Sequence, residues 1–203
     1  MEKTWLEQAA GLRQVRAPMT AQIQIRPALA VEVPTLEALI AASARDLSQG
    51  YYTPAQIEAA INHVFGVDSE LVADGSYLVA VEGEIILGCG GWSRRSTLFG
   101  GDRFAGRSAG LLDPAHDAAK IRAFFVAPQA ARRGVGAALL TACETAASAA
   151  GFSRTELMAT MPGVPFYTTR GYVAGNALTI DCGGVGVPFL AMHKQLSQPD
   201  AAV

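Results

Sequence analysis

The stretch that most constrains this chain is VAPQAARRGVGAALLTACETA, residues 126–146. An apolar run ends at Val126, two arginines and two closely spaced glycines follow, and an alanine-rich amphipathic segment comes next. This order predicts a strand, a short turn and a helix, with Gly134 and Gly136 in the first helical turn. The free backbone N–H groups and the positive end of the helix dipole at such a corner favour an anion, most often a phosphate.

The length and composition indicate one globular domain. The chain has 203 residues, of which 50% are hydrophobic and only 17% are charged, so a disordered or fibrous protein is excluded. We expect residues 1–20 to form a loose arm or a short helix, residues 21–197 to form the single domain, and residues 198–203 to form a tail.

Charge and hydropathy exclude two classes of partner. The formal net charge is −2 and no basic run with interleaved aromatic residues occurs, so we expect no nucleic-acid partner. No stretch approaches the roughly 20 apolar residues of a membrane span, and the first residues lack the apolar core of a signal peptide. We therefore expect no membrane partner and a cytoplasmic location.

The cysteines and histidines do not predict a metal site. The three cysteines are odd in number and lie among small or apolar residues, which indicates buried reduced thiols rather than disulfides. The three histidines are too scattered along the sequence to form a metal-ligand spacing. We predict no metal ion.

The rest of the chain mixes predicted strands and helices. Periodicity and capping signals predict helices at 33–47, 53–65, 134–150 and 163–170, and strands at 23–28, 120–126, 154–160, 172–181 and 187–194, with a hairpin around Gly83. This order indicates an α/β or α+β domain with one central sheet. The connection at 93–118 is long for a compact domain, which is typical of a functional or disordered loop.

Two common phosphate-binding turns do not fit the glycine turn. The dinucleotide fingerprint G-x-G-x-x-G requires a third glycine where this chain has Leu139, so a nucleotide-binding oxidoreductase is disfavoured. A P-loop requires lysine and then serine or threonine after its second glycine, where this chain has Ala137 and Ala138.

The turn and its surroundings resemble the GNAT superfamily of N-acetyltransferases. Residues 131–136, ARRGVG, match the form [QR]-x-x-G-x-[GA] after a strand, although Ala131 replaces the leading Gln or Arg. Further along, the segment MPGVPFYTTRGYVAGN is similar to the family's later signature, with Phe166, Tyr167, Gly171 and Tyr172 in the matching places. Two ordered motifs separated by a helix and a strand are harder to produce by chance than one.

The resemblance implies a fold, a cosubstrate and a reaction. The fold is a single central mixed, mostly antiparallel sheet flanked by helices, in which the strands at 120–126 and 154–160 splay apart. The cosubstrate is acetyl-CoA, and its acetyl group passes to a primary amine of a small molecule or peptide by direct attack in a ternary complex. A catalytically silent CoA-binding sensor or partner module of the same fold is the alternative, supported by Ala131 and by Lys120 where some relatives carry a glutamate.

The resemblance also assigns residues to the site. Tyr167, the tyrosine of the FY pair, is the candidate general acid for the departing thiolate, with core or cofactor packing as its other interpretation. The candidate cofactor-binding residues are Phe124, Phe125, Val126, Arg132, Arg133, Gly134, Val135, Gly136 and Ala137. The two arginines could instead be a solvated charge pair, but cations are disfavoured at a helix N-terminus unless an anion compensates them.

The acceptor side and the general base stay open. Candidate substrate-binding residues are Tyr51, Tyr52, Trp92 and Arg122, with core packing or an ordinary surface charge as their other interpretations. Strand alternation predicts that Arg122 shares a face with Lys120 and Phe124. The base could be Asp117, His116 or a water relay. The strands after residue 172 offer pairing edges, and the family resemblance implies a homodimer.

Overall fold

The structure is a computed structural model that describes residues 22–97, 99–104 and 110–197. Seven strands and five α-helices lie in this part of the chain. In chain order they are β1 (Gln24–Pro27), α1 (Val33–Leu47), α2 (Pro54–His63), α3 (Ser69–Ala73), β2 (Tyr77–Glu82), β3 (Ile85–Ser93), β4 (Ala119–Val126), α4 (Val135–Ala149), β5 (Arg154–Thr160), α5 (Val164–Thr169), β6 (Val173–Asp181) and β7 (Gly186–Gln195).

All seven strands belong to one sheet, in the order β1-β2-β3-β4-β5-β7-β6. The neighbouring strands pair antiparallel, except that β4 and β5 pair parallel. The predicted mixed, mostly antiparallel sheet is therefore confirmed. The predicted hairpin is also present, because β2 and β3 are joined by a two-residue turn in which Gly83 has a φ of 62°.

Helices cover both faces of the sheet. Leu36 and Ile40 of α1 and Ile57 of α2 are buried in one hydrophobic cluster with residues of α3, β2 and β7, and we call this side the α1 face. Leu139 of α4 packs with β2 and β3, and Tyr167 of α5 packs with β4 and β5, on the opposite side, which we call the α4 face. The sheet is thus the middle layer between two helical layers.

Local signals placed most of the helices correctly. Thr53 caps α2 as predicted, since its side chain accepts a hydrogen bond from the Gln56 N–H at 3.2 Å while the Thr53 N–H donates to the Gln56 side chain at 3.0 Å. The sequence interpretation missed α3, a five-residue helix whose N-cap is Asp68. One turn of helix carries too few residues for a hydrophobic period to show.

The parallel pairing of β4 and β5 is short. The two strands pair only from Ala119 to Ile121 on β4, against Thr155 to Leu157 on β5. Beyond Ile121 and Leu157 the strands separate, so the β5-facing edge of β4 is unpaired in the ladder over residues 122–126. The predicted splay of the two central strands is confirmed.

A bulge in β4 corrects the predicted alternation of Arg122 and Phe124. Residue pairing with β3 shifts between Phe125, opposite Cys89, and Arg122, opposite Gly91, and the bulged residue Ala123 has a φ of 51°. An extra residue in one strand moves the following side chain to the other face. Arg122 consequently lies on the α1 face against Asp68, whereas Phe124 packs into the clusters of the α4 face.

One glycine of β3, Gly88, allows α4 to pack closely on the sheet. A Cβ atom at Gly88 would lie 2.9 Å from a side-chain carbon of Val135 and 3.3 Å from one of Leu139, both on α4. The close approach of helix and strand that a dinucleotide fold obtains from the third glycine of its fingerprint is obtained here from the strand. Leu139 can therefore occupy that helical position and stay fully buried.

Three further observations concern the described residues. The cysteines Cys89, Cys143 and Cys182 are buried and free, as the sequence predicted. Within the described ranges no group of three His, Cys, Asp or Glu side chains is arranged to hold a metal ion. No helix in the same part of the chain is long and apolar enough to cross a membrane.

Candidate functional site

A cavity of about 590 Å³ lies where β4 and β5 separate. Its wall includes Phe65 and Phe189 from the cluster of the α1 face, and Val135 and Tyr167 from the clusters of the α4 face. Because its lining comes from both faces, the cavity passes through the sheet at the gap between the two strands. A molecule in it can reach both helical layers.

The glycine turn forms one part of the cavity wall. Arg132 and Gly134 adopt left-handed conformations, with φ values of 62° and 85°, and Gly134 is the N-cap of α4. The first helical hydrogen bond runs from the Ala138 N–H to the Gly134 carbonyl at 3.0 Å, so the N–H groups of residues 134–137 have no acceptor within the helix. Turns of this kind present successive N–H groups to one anion, and the helix dipole adds to the attraction.

The two arginines of the turn have different positions. Arg132 is exposed and lines the cavity. Arg133 lies outside the cavity wall and forms an ion pair with Glu82 at the end of β2, with 2.6 Å between its Nη2 and Oε1. The anion that compensates Arg133 is therefore a carboxylate of the protein, and the turn is tied to the β2–β3 hairpin.

The unpaired part of β4 forms a second part of the wall. Phe124, Phe125 and Val126 all line the cavity, together with Met158 and Thr160 from the far side of the gap on β5. Main-chain groups freed from the ladder are available to a ligand lying between the strands.

Tyr167 lies over the point where the strands separate. It belongs to the same buried cluster as Ile121 and Leu157, the last paired residues of β4 and β5, and it is 8% exposed. Its ring contacts those of Phe166 and Tyr172 edge to face, with centroids 5.1 and 5.5 Å away. Burial, and next the nearby Cys143, raise the pKa of the Tyr167 phenol, so the hydroxyl keeps its proton well above neutral pH.

A comparison with family models identifies the domain. Residues 52–196 match the acetyltransferase (GNAT) domain, which is more than half of the chain. The chain belongs to the GNAT family. No protein in a comparison with curated sequences matches it.

Solved structures of N-acetyltransferases share the fold of this chain. A GCN5-related N-acetyltransferase from Rhodopseudomonas palustris is 24% identical with a TM-score of 0.65, and the match covers 86% of this chain and 96% of that one. The PaiA N-acetyltransferase from Thermoplasma acidophilum, solved with coenzyme A, is 16% identical with a TM-score of 0.59 and coverages of 86% and 99%. YncA from Salmonella typhimurium, solved with its cofactor acetyl-CoA, is 14% identical with a TM-score of 0.57 and coverages of 89% and 99%.

In this GNAT domain, Arg122 lines the cavity but is fully buried. Its guanidinium forms an ion pair with the carboxylate of Asp68, whose side chain is also fully buried, and its Nη2 donates a hydrogen bond to the Gly100 carbonyl at 3.0 Å. The Asp68 side chain accepts a hydrogen bond from the Leu71 N–H at 3.3 Å. Arg122 thus joins β4 to α3 and to the loop segment that walls the cavity.

The structure does not bring the other three predicted acceptor contacts to the cavity. Tyr51 is 53% exposed and lies outside the cavity wall. Tyr52 is buried, and its hydroxyl donates to the Pro188 carbonyl at 2.7 Å and accepts from the Met161 N–H at 2.9 Å. Trp92 packs edge to face on Phe152 with 6.2 Å between ring centroids.

The candidate bases at the start of β4 also lie outside the cavity wall. His116 is exposed, and the Asp117 carboxylate accepts a hydrogen bond from the Asp113 N–H at 2.8 Å. Lys120 forms an ion pair with Glu156 of β5. Burial lowers the pKa of the Lys120 amine, and nearby Asp117 opposes that shift.

Several cavity residues were missed from the sequence. Arg170, just after α5, lines the cavity with its guanidinium 5.8 Å from the centroid of the Phe166 ring. Phe65, Phe99 and Phe189 line it from the α1 face. These three phenylalanines lie outside the two motifs, so no local pattern marked them. Arg170 is different, because it precedes Gly171 within the second motif and was a visible cation there.

The two neighbouring tyrosines provide a matched pair for stability. Tyr52→Phe should lower the free energy of unfolding by about 1–3 kcal/mol, because it removes a hydroxyl that satisfies two partly buried backbone groups. Tyr51→Phe should change it by less than about 0.5 kcal/mol, because that side chain is exposed. Urea titrations followed by circular dichroism measure both free energies. Equal effects of the two changes would contradict a stabilising role for the Tyr52 hydroxyl.

The Tyr52 effect should also depend on pH. Burial raises the pKa of Tyr52 to about 12. The folded form therefore keeps this proton where the unfolded chain, with a pKa near 10, loses it. Stability contributed by Tyr52 is fully present below pH 10 and is lost toward pH 12, so the gap between the wild type and Tyr52→Phe should narrow over that range.

Proposed function

We propose that the protein is an acetyl-CoA-dependent N-acetyltransferase that acetylates a primary amine by direct attack in a ternary complex. The observation that carries the proposal is the continuity of one cavity, which joins the N-terminus of α4 to the gap between β4 and β5 and to Tyr167. An anion site, a slot with free main-chain groups and a proton donor are the three elements that transfer from a thioester requires.

The cosubstrate fits the two motif regions of the cavity. The N–H groups of Gly134, Val135, Gly136 and Ala137 would hold the pyrophosphate of acetyl-CoA, with Arg132 as the nearby cation. The gap beside Phe124, Phe125 and Val126 would hold the pantetheine arm. The fold neighbours solved with coenzyme A and with acetyl-CoA support the choice of this cosubstrate.

The reaction needs no covalent enzyme intermediate. The uncharged amine nitrogen attacks the thioester carbon, a C–N bond forms, and the C–S bond breaks. The nitrogen loses one proton and the CoA thiolate gains one. The cysteines near the site are poor nucleophiles, because burial raises the pKa of Cys89 to about 12 and also raises that of Cys143.

Two groups stabilise charge during the transfer. Backbone N–H groups near Phe125 and Val126 polarise the thioester carbonyl as it gains negative charge. The Tyr167 hydroxyl donates to the sulfur as the thiolate forms. Its raised pKa keeps it protonated, so it remains a donor throughout the pH range in which the amine becomes uncharged.

The enzyme hypothesis predicts a loss of turnover in Tyr167→Phe. Release of CoA thiol from acetyl-CoA with a panel of amines should fall by about 100-fold or more in kcat, the usual contribution of a positioned general acid. The dissociation constant for CoA should change less than about twofold, because backbone groups hold the pyrophosphate. CoA binding without turnover in the wild type would instead favour the silent CoA-binding module.

Tyr172→Phe is the matched control. The Tyr172 and Thr155 hydroxyl groups share a buried hydrogen bond of 2.9 Å, and Tyr172 lies outside the cavity wall. This variant should lose stability and keep its kcat. Equal losses of kcat in the two variants would contradict a specific role for Tyr167.

We also propose that β6 pairs with β6 of a second copy, forming a homodimer. β6 is an edge of the sheet, and all nine of its residues are exposed except the half-buried Ile180. Its only charged residue is Asp181 at its end, whereas exposed edge strands usually carry charges that prevent pairing. When two identical strands pair antiparallel about a twofold axis, the backbone hydrogen-bonding groups of both edges are satisfied equally.

Sedimentation equilibrium tests the homodimer. The wild type should sediment as a dimer, and Leu178→Lys should sediment as a monomer, because a charge is placed on the exposed face of β6. Leu111→Lys makes the same change at an exposed leucine outside the sheet and should remain dimeric. A monomeric wild type, or dissociation by both changes, would overturn this interface.

A further inference from the structure

The part of the cavity on the α1 face lies across the sheet from the N-terminus of α4 and from Tyr167, which leaves it for the acceptor in the proposed reaction. Aromatic rings wall this part of the cavity. Phe65 contacts Phe125 and Phe189 edge to face, with centroids 5.3 and 6.2 Å away, and Phe99 stacks on Phe189 at 6.1 Å. Val64 and Leu47 extend the same apolar wall. Four phenylalanines around one space favour an apolar occupant of aromatic size.

The described wall holds no carboxylate. Its charged members are arginines, namely Arg122, Arg132 and Arg170.

The nearby acidic side chains bind other groups of the protein. Glu37 forms an ion pair with Arg103 at 2.5 Å and accepts a hydrogen bond from the Val67 N–H at 2.7 Å. Asp102 accepts hydrogen bonds from the backbone and the hydroxyl of Ser69, both at 3.0 Å. Asp68 is the buried partner of Arg122. A second ammonium group on the acceptor would find no counter-charge in the described wall and would lose its hydration.

We infer that the acceptor is an apolar primary amine of aromatic size with no second positive charge. This inference rests on the proposed function and narrows it. Polyamines, diamines and lysine-rich peptides are disfavoured, since each brings additional ammonium groups to a described wall that holds no carboxylate.

The same wall constrains the basicity of the amine. No Asp, Glu or His side chain of the described residues lines the cavity, so no side-chain base there takes a proton from an ammonium group, and an amine that arrives uncharged is favoured. At pH 7 an α-amino group with a pKa of about 7.7–8.0 is roughly one-tenth uncharged, whereas a lysine-like alkylamine with a pKa of about 10.4 is uncharged to less than about one part in a thousand. Apolar amines of low basicity are therefore the preferred acceptors.

A matched amine panel tests the class. The probes are phenylalanine amide, phenethylamine, 1,5-diaminopentane and spermidine, each with acetyl-CoA and the full-length protein, and release of CoA thiol is followed. The value of kcat/KM at pH 7 should be highest for phenylalanine amide, by about 100-fold over phenethylamine. The ratio of the two kcat/KM values should fall as the pH rises to 9.5. The diamine and the polyamine should be the poorest substrates at both pH values.

A charge placed in the wall should change the selectivity. Phe99 is half-buried on the loop segment, and Phe99→Asp supplies the missing carboxylate, whereas Phe99→Asn makes the same change in shape without charge. The ratio of kcat/KM for 1,5-diaminopentane to that for phenethylamine should be at least about tenfold higher in Phe99→Asp than in Phe99→Asn.

The outcomes separate the inference from the function beneath it. Preferential acetylation of spermidine or 1,5-diaminopentane by the wild type would overturn the acceptor class, but the proposed acetyltransferase activity would still hold. If the ratio of kcat/KM for phenylalanine amide to that for phenethylamine does not fall as the pH rises, the requirement for an uncharged amine would be overturned. If CoA binds but no amine, in this panel or outside it, supports thiol release, the proposed function itself would be overturned.

Discussion

The parallel pairing of β4 with β5 stops after three residue pairs, and the site depends on this interruption. A continued ladder would occupy the main-chain groups of residues 122–126 and would close the sheet. Because the pairing ends at Ile121 and Leu157, a cavity passes between the two helical layers and lies under Tyr167. The sheet remains one layer because β4 still pairs with β3, and β5 with β7, along most of their lengths.

The bulge at Ala123 and the buried pair of Arg122 with Asp68 support this arrangement. The bulge turns Arg122 toward α3 and Phe124 toward α4, so β4 is anchored on both faces of the sheet where its β5-facing edge is unpaired. Burial of an ion pair costs desolvation, and the pair is retained where good geometry offsets that cost. Here it fixes Gly100 and therefore the loop segment that lines the cavity. The charges that remain in the described wall are positive, which suits a phosphate-bearing cosubstrate better than a polycationic acceptor.

Much of the fold was predictable because its signals are local. The cap at Thr53, the hairpin at Gly83 and the turn at Gly134 are each encoded within a few residues, and the two motifs flanking α4 indicated the family. The alternation along β4 was predicted wrongly, because a bulge at an alanine leaves no mark in the sequence. The aromatic wall of the cavity was not predictable either, since Phe65, Phe99 and Phe189 come from distant segments and meet only through the tertiary fold. For the same reason, Tyr52 and Trp92 resembled wall residues until their buried partners were known.

Binding of CoA to two variants at Gly134 tests the central claim most directly, that the N-terminus of α4 holds the pyrophosphate. Gly134→Asp and Gly134→Asn impose the same left-handed backbone on a branched polar residue, and no atom lies within 4 Å of the new Cβ, so the variants differ mainly in charge. Isothermal titration should give a dissociation constant at least about tenfold higher for Gly134→Asp than for Gly134→Asn. Equal affinities in two folded variants would contradict the placement of the pyrophosphate at this turn.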